Sequence, residues 1–354
     1  MDFSALYKQY DGMAAPAYTL KVGKAELQIG DDVKLLRAVC ELTCRQNAGY
    51  LLVEAVMNPN GTNGSAWLDA FQIGAVGSFS LGYGSRKKAI FCGILYEVHW
   101  DEPLSQGPLG LEAVFLDVRG QLMHSACADA GSTRTLSQMI ETILEQDCCK
   151  KLAASREIDK LPTDWDLPVQ RSGLSDYEQL CRAASFLCYE FYAYADTLYF
   201  GPPRPVSSPV LTFSDTTGLI QLRRRNTLEH QCAAVAVSGA DDQGKRIYVR
   251  HARSREHGFG CKQIRSALTN DLHQPEPTVR TMSQAQYLAK ARMEQRQRQT
   301  AGLIGICLGA PELRPGRFIK VSGFSQAVNG TYYVYTVRHT LDAGGYKTDW
   351  EAEE

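Results

Sequence analysis

Leu303 to Glu354 reads LIGICLGAPELRPGRFIKVSGFSQAVNGTYYVYTVRHTLDAGGYKTDWEAEE. Apolar and polar residues alternate in short runs: Ile304–Leu308, Phe318–Val321, Thr331–Arg338 and Tyr346–Trp350. Pro315-Gly316, Asn329-Gly330 and Gly344-Gly345 separate them. Period-two runs broken by such dipeptides predict antiparallel strands joined by tight turns. Glycine after asparagine supplies the positive φ such turns need. The stretch reads as a small β-barrel or sandwich, and nothing in it has a catalytic character.

The whole chain has 354 residues, 44% of them hydrophobic, which is enough for a large core and for two to four domains. A formal net charge of -1 predicts no bulk attraction to nucleic acid or an anionic membrane. The N-terminal MDFSALYKQYDG lacks the basic start and apolar core of a signal peptide. No apolar run approaches the ~20 residues that span a bilayer, so no membrane insertion by this chain is expected. The 11 cysteines are odd in number and scattered, Cys148 and Cys149 are adjacent, and no CxxC pair exists. A structural zinc site needs paired ligands and a secreted scaffold a denser, even set. They read as reduced core thiols of a cytoplasmic protein.

Upstream, residues 1–16 read as an extended arm and Tyr18–Val22 as a first strand. Leu36, Ala38, Cys40, Leu42 and Cys44 alternate with Arg37, Val39, Glu41, Thr43 and Arg45, which predicts a strand with one buried face. Tyr50–Met57 returns as its partner, and Trp67, Leu68, Phe71 and Ile73 predict a short helical turn. Phe79–Tyr83, Ile90–Val98 and Leu111–Val118 complete a first barrel, with a bulge or close packing at Gly93. After Gly120 the period changes. Leu136, Met139, Ile140, Ile143 and Leu144 share one helix face, with Ser132 or Thr133 as N-cap. Asp176–Cys188 predicts a second helix, and Phe191–Tyr194 with Leu198–Phe200 a hairpin. The run Gly201-Pro202-Pro203-Arg204-Pro205 fits no regular element and marks a boundary. Strands resume at Val210–Phe213, Leu219–Arg223 and Ala233–Ser238, and Ser283–Thr300 predicts a polar helix.

Ile90–His99 and Thr331–His339 echo one another. Each alternates through aromatic and aliphatic residues to a histidine, with an aspartate soon after (Asp101, Asp342) and another alternating strand beyond. A true repeat would put two copies of one barrel in the chain, and three chains would give a ring of six barrels.

Three stretches resemble the late control protein D family of tailed phages, whose relatives include the hub region of type VI secretion spike proteins. The first runs from Val169 through Gln170, Ser175, Asp176, Leu180 and Arg182 to Asp196-Thr197-Leu198-Tyr199-Phe200. It departs from the family pattern by one extra residue between Gln170 and Ser175 and by Ala183 in place of leucine. The second is Ala285–Arg298 followed by Pro311-Glu312-Leu313-Arg314-Pro315-Gly316. The third is Val321–Phe324, Asn329-Gly330-Thr331-Tyr332-Tyr333-Val334, His339 and Gly345-Tyr346-Lys347-Thr348.

The resemblance implies a fold that is mainly β with α+β insertions: two tube-like antiparallel β-barrels plus two smaller intervening domains. Mapped onto this chain, 1–120 is the first tube-like barrel and 121–205 a helix/hairpin domain. The second barrel comprises 206–240 and 301–354, and 241–300 is an inserted domain carrying the polar helix. The implied protein is a structural baseplate hub, a homotrimer adapting a hexameric tail tube to a trimeric spike. Because the chain stops after the second barrel, the spike is expected to be a separate protein.

The remaining motifs carry little chemistry. The seven histidines form no HxH or HxxxH pair. His251 and His257 read as surface residues, and His99 and His339 as strand-end residues bonding turns. Arg86-Lys87-Lys88 reads as a solvated cluster in a turn. In Arg223-Arg224-Arg225 at most two side chains share a face. Gly239–Gly244, with Asp241-Asp242, lacks the ligands of a calcium loop and reads as a turn. Gly82-Tyr83-Gly84 opens no helix. Tyr189, Phe191, Tyr192, Tyr194, Tyr199 and Phe200 read as hairpin packing. No catalytic, cofactor-binding or metal residue is assigned, no cofactor is expected, and the chain is not expected to be an enzyme. The expected partners are the tail tube protein, the spike and other baseplate proteins, with DNA passage through the lumen open. Assembly in the bacterial cytoplasm into a virion or phage-tail-like particle follows from the same resemblance. A tail-associated peptidoglycan hydrolase and a carbohydrate-binding module stay open as alternatives.

Overall fold

The computed structural model describes residues 1–23, 25–27, 32–103, 107–125, 134–162, 165, 167–169, 173–254 and 270–354. The first part contains α1 (Phe3–Gln9), β1 (Pro16–Val22), β2 (Ala25–Leu27), β3 (Val33–Thr43), β4 (Tyr50–Met57), α2 (Thr62–Ala70), β5 (Val76–Tyr83), β6 (Arg86–Asp101) and β7 (Leu109–Leu116). Next come α3 (Val118–Met123), β8 (Arg134–Thr135), α4 (Leu136–Leu144), α5 (Asp147–Leu152), β9 (Ser155–Ile158), β10 (Pro168–Val169), α6 (Asp176–Leu187), β11 (Glu190–Tyr194) and β12 (Thr197–Gly201). The last part holds β13 (Leu211–Phe213), β14 (Leu219–Asn226), β15 (Ala234–Ala240), β16 (Arg246–Ala252), β17 (Asp271–Pro275), α7 (Met282–Gln299), β18 (Ala301–Leu308), β19 (Arg317–Val321), β20 (Gly330–Asp342) and β21 (Gly345–Glu353).

The fold is mainly β with α+β insertions, and its two strand sets meet in one sheet. That 13-stranded sheet runs β14-β18-β21-β20-β3-β4-β7-β6-β5-β1-β2, with β13 and β19 attached beside β20. The join is β20 against β3, antiparallel from Thr336↔Thr43 to Leu341↔Ala38. β20 can serve both sets because it is long. Its first residues pair with β19, and its later ones lie between β21 and β3. β21 and β4 show the alternating burial expected of strands with one face on a core. One apolar core runs beneath both sets, from Phe3 and Leu51 to Trp350 and Ala352.

The turns differ from the simplest reading of their dipeptides. Gly316 and Gly345 do take positive φ, 75° and 99°. Gly330 does not; it opens β20, and Asn329 instead locks the preceding loop by bonding the Phe324 N–H and carbonyl at 3.0 and 2.9 Å. Gly93 marks close packing: a Cβ there would lie 2.1 Å from the Leu116 carbonyl oxygen. The nearby bulges fall at Phe79/Ser80 and Leu95/Glu97.

Three expectations are corrected. Residues 1–16 are no arm: Asp2 caps α1 by accepting from the Ser4 N–H at 3.0 Å, and Phe3 and Leu6 are buried. Phe3 stacks on Phe213 of the second strand set at 5.2 Å. The Asp2 cap and the spacing Phe3, Leu6, Tyr10 were the overlooked signals. Second, Ala234–Ala240 does not join the second barrel. It pairs with β16 and parallel to β17 in a separate three-stranded sheet covered by α7. Third, the helix at Leu136 is capped by Thr135, in a reciprocal capping box with Gln138; Ser132 and Thr133 lie outside the described residues. The helix/hairpin segment and the inserted segment share one core, where Leu180 and Leu187 meet Val235, Leu288 and Met293.

A buried ion pair ties this second core to the sheet. Asp117 caps α3, accepting from the Arg119 N–H at 2.9 Å, and also accepts from the Gly49 N–H at 2.7 Å. Arg119, fully buried, pairs with Asp117 at 2.7 Å and donates to the Arg45 carbonyl at 3.0 Å and the Phe191 carbonyl at 2.9 Å. One guanidinium thus joins the end of β3, the start of α3 and the β11 hairpin. Removing one partner of such a pair leaves an uncompensated buried charge. Arg119→Ala is expected to cost about 3–5 kcal/mol, read as a lower midpoint in urea unfolding.

Candidate interaction surface

The register carries one polar face across eight strands. Residues paired in register point to the same side of a sheet. Arg223 lies opposite Ile304, which lies opposite Glu351, then Thr336. Arg338 follows on the same side of β20, opposite Glu41, Tyr50 and Leu116 in turn. Farther along, Glu54, Glu112 and His99 align. The reverse side carries Val337, Leu42, Leu51 and Phe115, all buried.

Charge along this polar face is graded. At the β14 end stand Arg223 and Arg225, both exposed. In the middle, ion pairs neutralise one another: Arg338 donates to Glu41 at 2.7 Å and Arg37 to Glu54 at 3.4 Å. At the β6 end stand Glu97, Asp101 and, on β7, Glu112, all exposed.

Two of the strand edges left open in the large sheet also carry exposed apolar side chains. β14 ends the sheet and pairs only with β18. Beyond Leu95, β6 pairs only with β7. Exposed apolar side chains gather at both places: Ile220 (53% exposed) and Leu228 at β14, Ile73 (65%) and Tyr96 near β6. Unpaired strand edges with apolar side chains are unusual on a free surface and mark pairing sites.

Arg86, Lys87 and Lys88 are all exposed, and each side chain also reaches a neighbour. Arg86 donates to the Gln9 carbonyl, Lys87 to the Thr19 hydroxyl, and Lys88 pairs with Glu312 at 2.9 Å. Arg224 faces inward, donating to the Tyr332 hydroxyl at 2.7 Å, while Arg223 and Arg225 face out. Asp241 closes a turn by accepting from the Gln243 and Lys245 N–H groups. Tyr189, Phe191, Tyr192, Tyr199 and Phe200 are buried and Tyr194 partly so. His251 lies on β16, and His257 is outside the described residues. The nine described cysteines are unpaired thiols, seven of them buried. No group of three or more potential metal ligands occurs among the described residues.

His99 and His339 part company. His99 is exposed near the end of β6, 3.0 Å from Glu97. His339 lies within β20 and is fully buried, its Nδ1 2.8 Å from the Tyr346 hydroxyl and 3.1 Å from the Thr348 hydroxyl. Both strands carry a bulge, at Leu95/Glu97 and Val334/Thr336, but the histidines sit at different distances from it. One residue of offset exchanges the two faces of a strand.

No protein-family model matches this chain, and no curated protein matches it by sequence. Solved structures do match its fold. It is similar to the tail protein from Neisseria meningitidis MC58, with a TM-score of 0.70 and 14% identity over 96% of this chain and 97% of that one. The 43 kDa tail protein of prophage MuSo2 from Shewanella oneidensis gives 0.67 and 12%, over 96% and 98%. An E. coli component of the type VI secretion system gives 0.61 and 14%, over 94% and 76%. The chain has the fold of phage tail proteins and of type VI secretion spike-like proteins.

Burial pushes the His339 imidazole down to about 4, below its ordinary 6.5. Its folded value is the lower one, so the stability it contributes is full above about pH 6.5 and lost as pH falls toward 4. The His339→Gln variant is therefore expected to lose less stability than the parent between about pH 7 and pH 5, measured by urea unfolding at each pH.

Proposed function

We propose that this chain is the structural hub of a contractile tail baseplate or injection system, of the late control protein D kind. Its work is geometric rather than catalytic. Three copies form a ring that meets a hexameric tail tube on one side and a trimeric spike on the other, with other baseplate proteins around it. It assembles in the bacterial cytoplasm and ends in a virion or phage-tail-like particle, whose lumen offers a path for DNA. The observation that carries this reading is the single sheet. Two strand sets lie in one chain, joined at β3 and β20, so three chains present six sets to a six-fold tube.

The open edges supply a contact for the ring. The basic edge of β14 in one copy seats against the acidic edge of β6 in the next, a heterologous contact that closes by rotation. Strand addition supplies main-chain hydrogen bonds, and Ile220 and Tyr96 are covered. Eight strands per copy, at about 4.8 Å each, make an arc of roughly 38 Å, so three copies wall a bore roughly 37 Å across.

The measurement is native mass together with electron microscopy, with and without the neighbouring tube protein. A ring of three is expected, weakened by Arg223→Glu and restored when Glu97→Arg is added. A chain that stays monomeric and never joins the tube overturns the hub. A ring of three indifferent to both reversals overturns this edge contact alone.

A further inference from the structure

α7 buries one stripe, Ala285, Leu288, Ala289 and Met293, in the second core. A polar stripe runs beside it. Arg292, Gln295, Arg296 and Gln299 fall at i, i+3, i+4 and i+7, so they share one side of the helix. These four line an open cleft of about 1120 Å³. His273, Gln274 and Pro275 of β17 line it too, together with His230 and the end of α6.

The cleft therefore meets β17 at its edge. Successive residues of a strand point to opposite faces, and a space that touches three in a row reaches the strand from the side. That side has no strand partner among the described residues. β17 pairs only with β15, parallel, from Ala234↔Asp271 to Ser238↔Pro275. The outer main-chain groups of such an edge are a template for one more strand.

Charge in the cleft is one-sided. Its lining holds two guanidiniums and no carboxylate, in a chain whose formal net charge is -1. Arg292 pairs with Glu276 at 2.8 Å. Arg296 donates to the His230 carbonyl at 3.1 Å and has no carboxylate partner among the described residues.

We propose that this cleft takes an acidic, extended peptide segment of a partner protein, added as a strand to β17 with its carboxylates on Arg292 and Arg296. Alternate side chains of a strand share a face and lie about 6.7 Å apart. Arg292 and Arg296 are separated by a rise of about 6 Å along α7. Acids at two alternate positions thus match the two guanidiniums one to one. Other occupants fit less well. Single-stranded nucleic acid is held by longer basic grooves with aromatic stacking platforms, and no Phe, Tyr or Trp lines this cleft. A small molecule is held by an enclosed and mainly apolar pocket, whereas this one is open and polar.

The cleft lies within one chain, so its test is separate from that of the ring. The measurement is fluorescence anisotropy of the full chain with a labelled octapeptide of alternating glutamate and threonine, at about 50 mM salt. Saturable binding is expected, weakened at least about tenfold by Arg296→Glu and by Gln295→Glu. Gln295 is exposed, so the second variant reads the charge of the cleft without loss of a buried contact. Methylating the backbone nitrogens of alternate peptide residues is expected to abolish binding in one register and spare it in the other, because one set of N–H groups faces β17. No binding, binding indifferent to Gln295→Glu, or binding indifferent to methylation in both registers overturns the proposal. Tighter binding of an eight-nucleotide thymidine oligomer than of the peptide assigns the cleft to nucleic acid and overturns it as well.

Discussion

The antiparallel pairing of β20 with β3 is the constraint on which the rest depends. It joins residues nearly 300 positions apart, from Thr336↔Thr43 to Leu341↔Ala38. Without it the chain would hold two separate strand sets, each with an added exposed edge. With it, the apolar sides of both sets face one core and their polar sides make one surface. Its register matters as much as its existence. A slip of one residue would turn Val337, His339 and Leu341 out to solvent and bring Arg338 and Thr340 into the core. The burial of His339 beside Cys40, Tyr346 and Thr348 fixes that choice chemically, because a neutral imidazole with two hydroxyl neighbours fits there and a charged arginine does not.

The second layer is fastened to this sheet by polar interactions placed where apolar packing alone would permit sliding. Arg119 reaches carbonyls of Arg45 and Phe191, from two different layers, while pairing with Asp117. The Tyr333–Glu190 hydrogen bond crosses the same boundary farther along. Such groups are directional. They set how the helix/hairpin and inserted segments sit, whereas the shared core of Leu180, Val235 and Leu288 sets only that they stay together.

Much of the architecture was legible in the sequence where the signal is local. The alternation in Thr331–Arg338, Tyr346–Trp350 and Tyr50–Met57 places strands, and the helical spacing of Leu136, Met139, Ile140 and Ile143 places α4. What escaped was either short or non-local. The N-terminal helix has only seven residues, and its main reward is a stack on Phe213, about two hundred residues away. β9 has four residues and pairs parallel to β12, a partner no turn signal announces. Ala234–Ala240 reads as a buried strand in any sheet, so its alternation could not say which sheet takes it. The open edges were hidden for the same reason. Arg223-Arg224-Arg225 shows its charge in sequence, yet only the sheet order reveals that its strand lies at the end.

Leu303–Glu354 by itself determined a run of antiparallel strands with one apolar face, because period-two burial follows from the pleat of a strand and needs no knowledge of the partner. It also determined the breaks at Gly316 and Gly345, whose positive φ values glycine tolerates. The tertiary structure alone decided that these strands continue into β3 and that their polar side belongs to a surface eight strands wide. Pairing choice is a matter of which distant edge offers matching hydrogen bonds and a common core, and neither is written in the residues next door.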